Sequence, residues 1–253
     1  MQTRQANAKA DVEKQVAELH ARLRMAQSAF TQARDRFDLL GIKLGDPQSR
    51  VASLLAKEFP QAKDHRTGSG SGSECVPRSS ASRRNGDCIG IESKPSGDPK
   101  AINPQTRQVT VSLTEKGRVH SAYYKQANLY VANTQEGCER ERDQFLDGVA
   151  AKYGQPFSKN KKTVTWGAAM PYEDFQRAYG NNHYRLGVEK SLDGDRGLVN
   201  DAQRVIYFQG GFALTATCYG ISGGGVAMGI DAFLSDTGLE EQDSSAAVSK
   251  PKL

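Results

Sequence analysis

Residues 107–124, RQVTVSLTEKGRVHSAYY, alternate apolar and polar side chains up to a turn at Glu115-Lys116-Gly117-Arg118. Val109, Val111 and Leu113 fall two apart, the spacing that places them on one face of a strand. The stretch therefore predicts an antiparallel hairpin with one apolar face, and such a face has to be covered by another layer. What lies to either side of it supplies candidates for that layer.

Upstream, Gly45-Asp46-Pro47 precedes a run whose apolar members are Val51, Leu54, Leu55 and Phe59. That spacing predicts a short amphipathic helix with Asp46 as N-cap, Pro47 at its first position and Pro60 closing it. Downstream, TQEGCERERDQFLDGVAAKYGQP (134–156) sets Cys138, Phe145, Leu146, Val149 and Tyr153 on one helical face, with Gly154 as the stop. KTVTWG (162–167) reads as a strand, residues from about 170 to 202 as a polar loop, and RVIYFQGGFALTATCY (204–219) as a hairpin turned at Gly210–Gly211. AMGIDAFLSD (227–236) supplies an edge strand. Two helices and several strands in this order predict an α+β domain over 41–236, built as two tandem helix-plus-antiparallel-sheet units. The Gly/Ser-rich stretch 61–86 reads as a mobile loop and the polar 237–253 as a disordered tail.

The first forty residues have a different pattern. Val12, Val16, Leu19, Leu23, Ala26, Phe30, Ala33, Phe37 and Leu40 follow one another in alternating steps of four and three. No Pro or Gly interrupts them, and Gly41 stands where a helix would stop. This is the heptad repeat of a helix that lies along another helix, so residues 1–40 are expected to form a coiled-coil segment. Val16, Leu19, Leu23, Phe30, Phe37 and Leu40 are the expected partner-binding residues. With Val16, Leu23, Phe30 and Phe37 at a and Leu19, Ala26 and Ala33 at d, a parallel self-dimer would set Phe against Phe and Ala against Ala. A different or antiparallel helical partner fills space better, although a homo-oligomer stays open.

Composition narrows the function classes. The 253 residues carry a net charge of +5 and 37% hydrophobic side chains, with a mean hydropathy of −0.62. Lys and Arg are spread along the chain rather than gathered, which argues for a solvated surface and against nucleic acid. No apolar run is long enough for a membrane span. MQTRQANAKA has no signal-peptide core, so either the chain is cytoplasmic or a signal or anchor belongs before Met1. The four cysteines Cys75, Cys88, Cys138 and Cys218 have no metal-site spacing. Two disulfides are possible in three connectivities, and Cys75–Cys88 with Cys138–Cys218 is the expected pairing; it implies a periplasmic or otherwise exported protein. The alternative is four reduced thiols.

GIKLGDPQSRV (41–51) and VTVSLTEKGRV (109–119) resemble the capped helix and terminal hairpin of the small SmpA/BamE-type outer-membrane assembly lipoproteins and of the β-lactamase-inhibitor-protein fold. VAAKYGQP (149–156) followed by TVTWG (163–167) is similar to the helix–turn–strand step of the same fold. The resemblance covers roughly residues 39–220 and implies a periplasmic protein-binding fold without an active site, cofactor or metal.

The residues themselves show little catalytic chemistry. His20, His65, His120 and His183 have no paired metal spacing, and no nucleophile motif occurs. Cys138 at a helix start, or the loop carrying His183, Arg185, Glu189, Asp193 and Asp195, would have to serve an enzyme. Tyr123, Tyr124, Tyr130, Trp166, Tyr172, Phe175 and Tyr179 suit recognition or simple packing. The expected function is a non-catalytic envelope protein that binds another protein through its helix and sheet face. An inhibitor that plugs a hydrolase with loop 170–200 is the alternative.

Overall fold

The computed structural model describes residues 2–60, 66–69, 87–92, 105–179, 198–200 and 205–248. Helices α1 (Gln2–Ala33) and α2 (Gln48–Glu58) come first, then strands β1 (Arg66–Ser69), β2 (Asp87–Glu92), β3 (Thr106–Leu113) and β4 (Val119–Ala132). The second half runs α3 (Gln135–Tyr153), β5 (Ser158–Lys159), β6 (Thr163–Pro171), α4 (Tyr172–Tyr179), β7 (Leu198–Asn200), β8 (Val205–Gly220), β9 (Val226–Asp236) and α5 (Thr237–Val248). The strands make one antiparallel sheet in the order β1-β2-β3-β4-β9-β8-β6-β5, with β7 also on β8. The α+β class expected from the sequence is therefore present.

The hairpin that began the reading forms as expected. Val109 lies opposite Tyr124 and Val111 opposite Ala122, and Gly117 turns the chain at a φ of 70°. Val109, Val111 and Leu113 join the main core, which α1, α2 and α3 help to close from one side. Along β9 the same core takes Val226, Met228, Ile230, Ala232 and Leu234, one residue in two. Phe233, between them, belongs to a second cluster with Tyr123, Tyr207 and Ala213 on the other face. Both faces of β9 are thus buried. Instead of forming an edge, β9 lies between β4 and β8 at the middle of the sheet.

Other expectations change too: of the expected polar loop from about 170 to 202, Tyr172–Tyr179 form α4 and Leu198–Asn200 form β7, while 180–197 lie outside the described residues. Gly210–Gly211 is no turn: β8 runs straight through it. A Cβ on Gly211 would lie 2.2 Å from the Trp166 carbonyl oxygen, and one on Gly210 2.7 Å from that of Ser235. The two glycines let three strands crowd together at an irregularity between Gly167 and Ala169. Helix α2 begins one residue late, because Asp46 spends its carboxylate on the Lys43 N–H and the Arg50 side chain rather than on the helix end. Residues 237–248, read as part of a disordered tail, are helical. Leu239 and Asp243, one turn apart, are both buried against the sheet. Of the expected mobile loop 61–86, Arg66–Ser69 form β1, and 61–65 and 70–86 lie outside the described residues.

Cys138 at the start of α3 and Cys218 near the end of β8 are joined in a disulfide, with Cα atoms 6.1 Å apart. It closes an 80-residue separation, and the loop-entropy argument assigns such a closure about 4 kcal/mol. Cys88 is buried on β2, and no cysteine of the described residues is free. The expected pairing of Cys88 with Cys75 lies outside those residues.

Candidate functional site

The heptad stripe places the site, though not as expected. Helix α1 ends at Ala33, and Arg34–Arg36 form a single tighter turn. Phe37 is extended, with a φ of −92°. Leu40 sits at a φ of 56° in a two-residue turn with Gly41, whose flanking residues Leu39 and Ile42 exchange backbone hydrogen bonds. Phe37 and Leu40 therefore leave the helical seam. The cause is tertiary: the Phe37 ring lies 5.0 Å from Phe30, 5.1 Å from Tyr153, 5.6 Å from Phe212 and 5.9 Å from Trp166, a cluster that outweighs helix propensity.

The seam residues expected to await a partner are largely covered by the chain itself. Phe30 is buried in the main core, over Gly167, where a Cβ would come within 3.0 Å of the ring. Leu23 is buried with Ala168, Met170, Phe175, Ile206 and Phe208, and Val16 and Leu19 are half-buried against that cluster. Leu40 is half-buried on the main core. The a-position stripe is thus taken up by β6 and β8. On the same side, the Gln27 side-chain oxygen accepts the Ala168 N–H at 3.3 Å and Arg34 pairs with Asp236 at 3.3 Å.

The opposite flank of α1 stays open. Arg22, Met25, Ala26, Ala29 and Ala33 form one wall of a groove of about 380 Å³. Phe30, Phe37, Tyr153 and Trp166 make its floor, and Gln155, Pro156 and Phe157, after α3, make the far wall. Alanines on α1 leave the space that larger side chains would fill. The far wall is fixed by Gly154, whose φ of 86° ends α3 and whose carbonyl accepts the Trp166 indole N–H at 3.0 Å. Met25 stands on the lip, 65% exposed.

Among the described residues Arg22 is the only charged side chain in the lining. Its guanidinium lies 5.5 Å from the Phe157 ring centroid, and among the described residues it has no hydrogen bond or ion pair. At the floor's outer edge the Lys152 ammonium sits 4.5 Å from the Tyr153 ring centroid. Its pKa is raised, chiefly by its hydrogen bond to the Tyr153 hydroxyl, with Asp38 at 3.7 Å adding to the effect. The groove offers apolar contact, aromatic rings and positive charge; among the described residues its lining holds no carboxylate, imidazole or thiol, and its one hydroxyl is the Tyr153 phenol. Its volume falls in the range of sites that take a compact ligand or a pair of apolar side chains.

Groups considered for catalysis lie apart from it. The Cys138 sulfur is held in the disulfide and is not a thiolate. His120 is buried on β4, and burial pushes its pKa down to about 4. His65, His183, Arg185, Glu189, Asp193 and Asp195 lie outside the described residues. Among the described residues no group of three His, Cys, Asp or Glu is placed to hold a metal ion, and no helix is long and apolar enough to cross a membrane. No protein-family model, curated protein or solved structure matches this chain.

The aromatic residues expected for recognition divide in the same way. Tyr123, Trp166 and Phe175 are buried, and Tyr124 and Tyr172 are half-buried; of these five only Trp166 lines the groove. The side chains of Tyr130 and Tyr179 are not among those described. Sequence reasoning missed Met25, Ala29 and the Gln155–Phe157 wall. The available signal was the alternation of Phe and Ala in the stripe, since each alanine leaves a gap beside a ring.

Proposed function

We propose that this chain is a non-catalytic protein-binding or assembly protein of the periplasm or another exported compartment, and that it docks a partner segment in the groove beside α1. The observation that carries the reading is the groove itself. It is open, floored by four aromatic rings and lipped by a methionine 65% exposed. Rigid aromatic floors and adaptable methionines are the usual makings of a recognition site. The Cys138–Cys218 disulfide supports the exported setting. Docking on the sheet's second face has less in its favour, because Tyr123, Tyr207 and Phe233 are already covered there.

The tandem, inhibitor-protein-like organisation belongs to the same reading. Helix α2 precedes the run β2-β3-β4 and helix α3 precedes β6, β8 and β9; the last strands of the two runs, β4 and β9, pair at the centre. That order supports two related units joined back to back, the architecture of the SmpA/BamE-type and inhibitor-protein resemblance.

The test is a photo-crosslinking amino acid at position 25 of the full chain in its own cell envelope. A discrete adduct with a different protein, lost when Ala29→Trp fills the groove of a chain that still folds by circular dichroism, is the expected result. Crosslinks unaffected by Ala29→Trp, or no crosslink at all, would refute the docking role.

A further inference from the structure

Resting on that docking reading, we infer that the groove's occupant is an acidic amphipathic helix of another protein, laid along the open flank of α1. The stripe supplies the register. In the heptad frame Ala26 and Ala33 are successive d positions, seven residues and so about 10 Å apart along the helix. Both face the groove. A helix lying beside α1 with two large apolar side chains seven residues apart would seat one over each alanine and against the aromatic floor. Big against small is how facing helix surfaces interdigitate.

Charge selects the partner's flank. The g position of α1 beside these alanines that carries a charge is Arg22. Arg22 lines the groove and has no hydrogen bond or ion pair among the described residues. Lys152, at the floor's edge, is already paired with Asp38 at 3.7 Å. Among the described residues no carboxylate lines the groove to balance Arg22. Carboxylates on the side of the incoming helix that faces Arg22 meet this charge, and lysines there are repelled. A second copy of the chain fits badly, since its α1 would bring the same alanines and the same arginines.

The experiment uses the whole chain and two synthetic three-heptad helical peptides with leucine at a and d. One carries glutamate at all e and g positions, the other lysine. Trp166 is the only tryptophan of the chain and lies in the groove floor, so its emission reports occupancy alongside the anisotropy of labelled peptides. The glutamate peptide is expected to bind at least 10-fold more tightly than the lysine peptide at low salt. Arg22→Glu should erase or invert that ratio, whereas Arg140→Glu, an equal charge change on exposed α3, should leave most of it. Equal binding of the two peptides, or equal effects of the two variants, overturns the acidic-helix inference and leaves groove docking standing. Failure of both peptides to bind or perturb Trp166 overturns the inference and counts against the docking reading. Self-association of the chain that excludes the peptides assigns the groove to a second copy and overturns the inference alone.

Discussion

Phe37 carries the argument at the scale of single residues. It is 2% exposed and its ring meets four other aromatic rings within 6 Å. A seam residue waiting for a partner would leave the free protein's stability almost untouched when truncated. A core residue in this setting costs about 3–5 kcal/mol, because the deletion removes transfer energy and leaves a cavity that packed neighbours close only in part. Phe37→Ala is therefore expected to lower the unfolding free energy by that amount in urea titration of the protein without any partner. Met25→Ala, at the exposed lip, should change it by less than about 0.5 kcal/mol. A Phe37→Ala variant as stable as the parent would return the ring to the partner-binding set and undo the assignment made from its packing. Gly211 makes the complementary case, where the space allowed is nil. A methyl group there meets the Trp166 carbonyl at 2.2 Å, so the identity of a residue deep in the sheet is dictated by backbone contact rather than by a turn.

At the scale of elements, the C-terminal helix α5 shows how a polar segment becomes part of the fold. Asp243 is buried and accepts hydrogen bonds from the Thr114 hydroxyl and from the Arg118 guanidinium, with Lys116 at 3.2 Å. Arg118, the nearest cation, is the main reason its carboxyl stays well below the usual carboxylate range. These partners all come from the β3–β4 turn, so α5 clamps the hairpin that leads into the centre of the sheet. Removing one member of such a group leaves buried charge or hydroxyl unmatched. Asp243→Ala is expected to destabilise the chain by roughly 3 kcal/mol and to raise amide exchange in Val119–Ala132 as well as in α5, measured by hydrogen–deuterium exchange. Exchange raised in α5 alone would mean that the helix is an ornament on the hairpin. The same element explains what the sequence made legible. Hairpin β3–β4, helix α3 with its Gly154 stop, and strand β6 follow from local periodicity and stop residues, which residues two to four apart are enough to express. Helix α5 does not, because Leu239 and Asp243 are what it buries against the sheet and the partners of Asp243 lie 125 and more residues away. Nor does the continuity of β8, since Gly210–Gly211 is indistinguishable from a turn until Trp166 and Ser235 are placed beside it. The groove was half legible: its alanines stood in the stripe, while its far wall comes from the end of α3.

For the whole molecule, the question is what the sheet's buried charges do to its range of stability. His120 lies on the central strand β4 and is 7% exposed. Burial lowers its pKa from 6.5 to about 4, against the opposing influence of Asp236. Asp236 is itself paired with Arg34 at the end of α1, so this corner joins the first helix to the sheet's centre. Between pH 6.5 and about 4 the unfolded chain binds a proton at this histidine and the folded chain does not. Stability therefore rises with pH through that window. It is fully present above pH 6.5 and falls on acidification, by roughly 3 kcal/mol for one histidine shifted this far. Asp243 acts later, since a carboxyl held low loses its contribution only as pH drops below the ordinary carboxylate value. The acid limb should consequently show two stages. Urea unfolding at pH 8, 6.5, 5 and 4 is expected to give a steady loss from 6.5 downward in the parent. His120→Gln should flatten that limb between 6.5 and 4 while keeping the further loss below pH 4, which Asp243→Asn would in turn reduce. A parent whose stability is level from pH 7 to 4.5 would show that His120 is protonated in the folded chain, and with it that the centre of the sheet is wetter than its burial implies. The groove should respond differently, because among the described residues its lining holds no carboxylate or imidazole. Docking of an acidic helix would weaken only as the partner's own carboxylates take up protons, so binding and stability measured on one pH series separate the surface that recognises from the core that supports it.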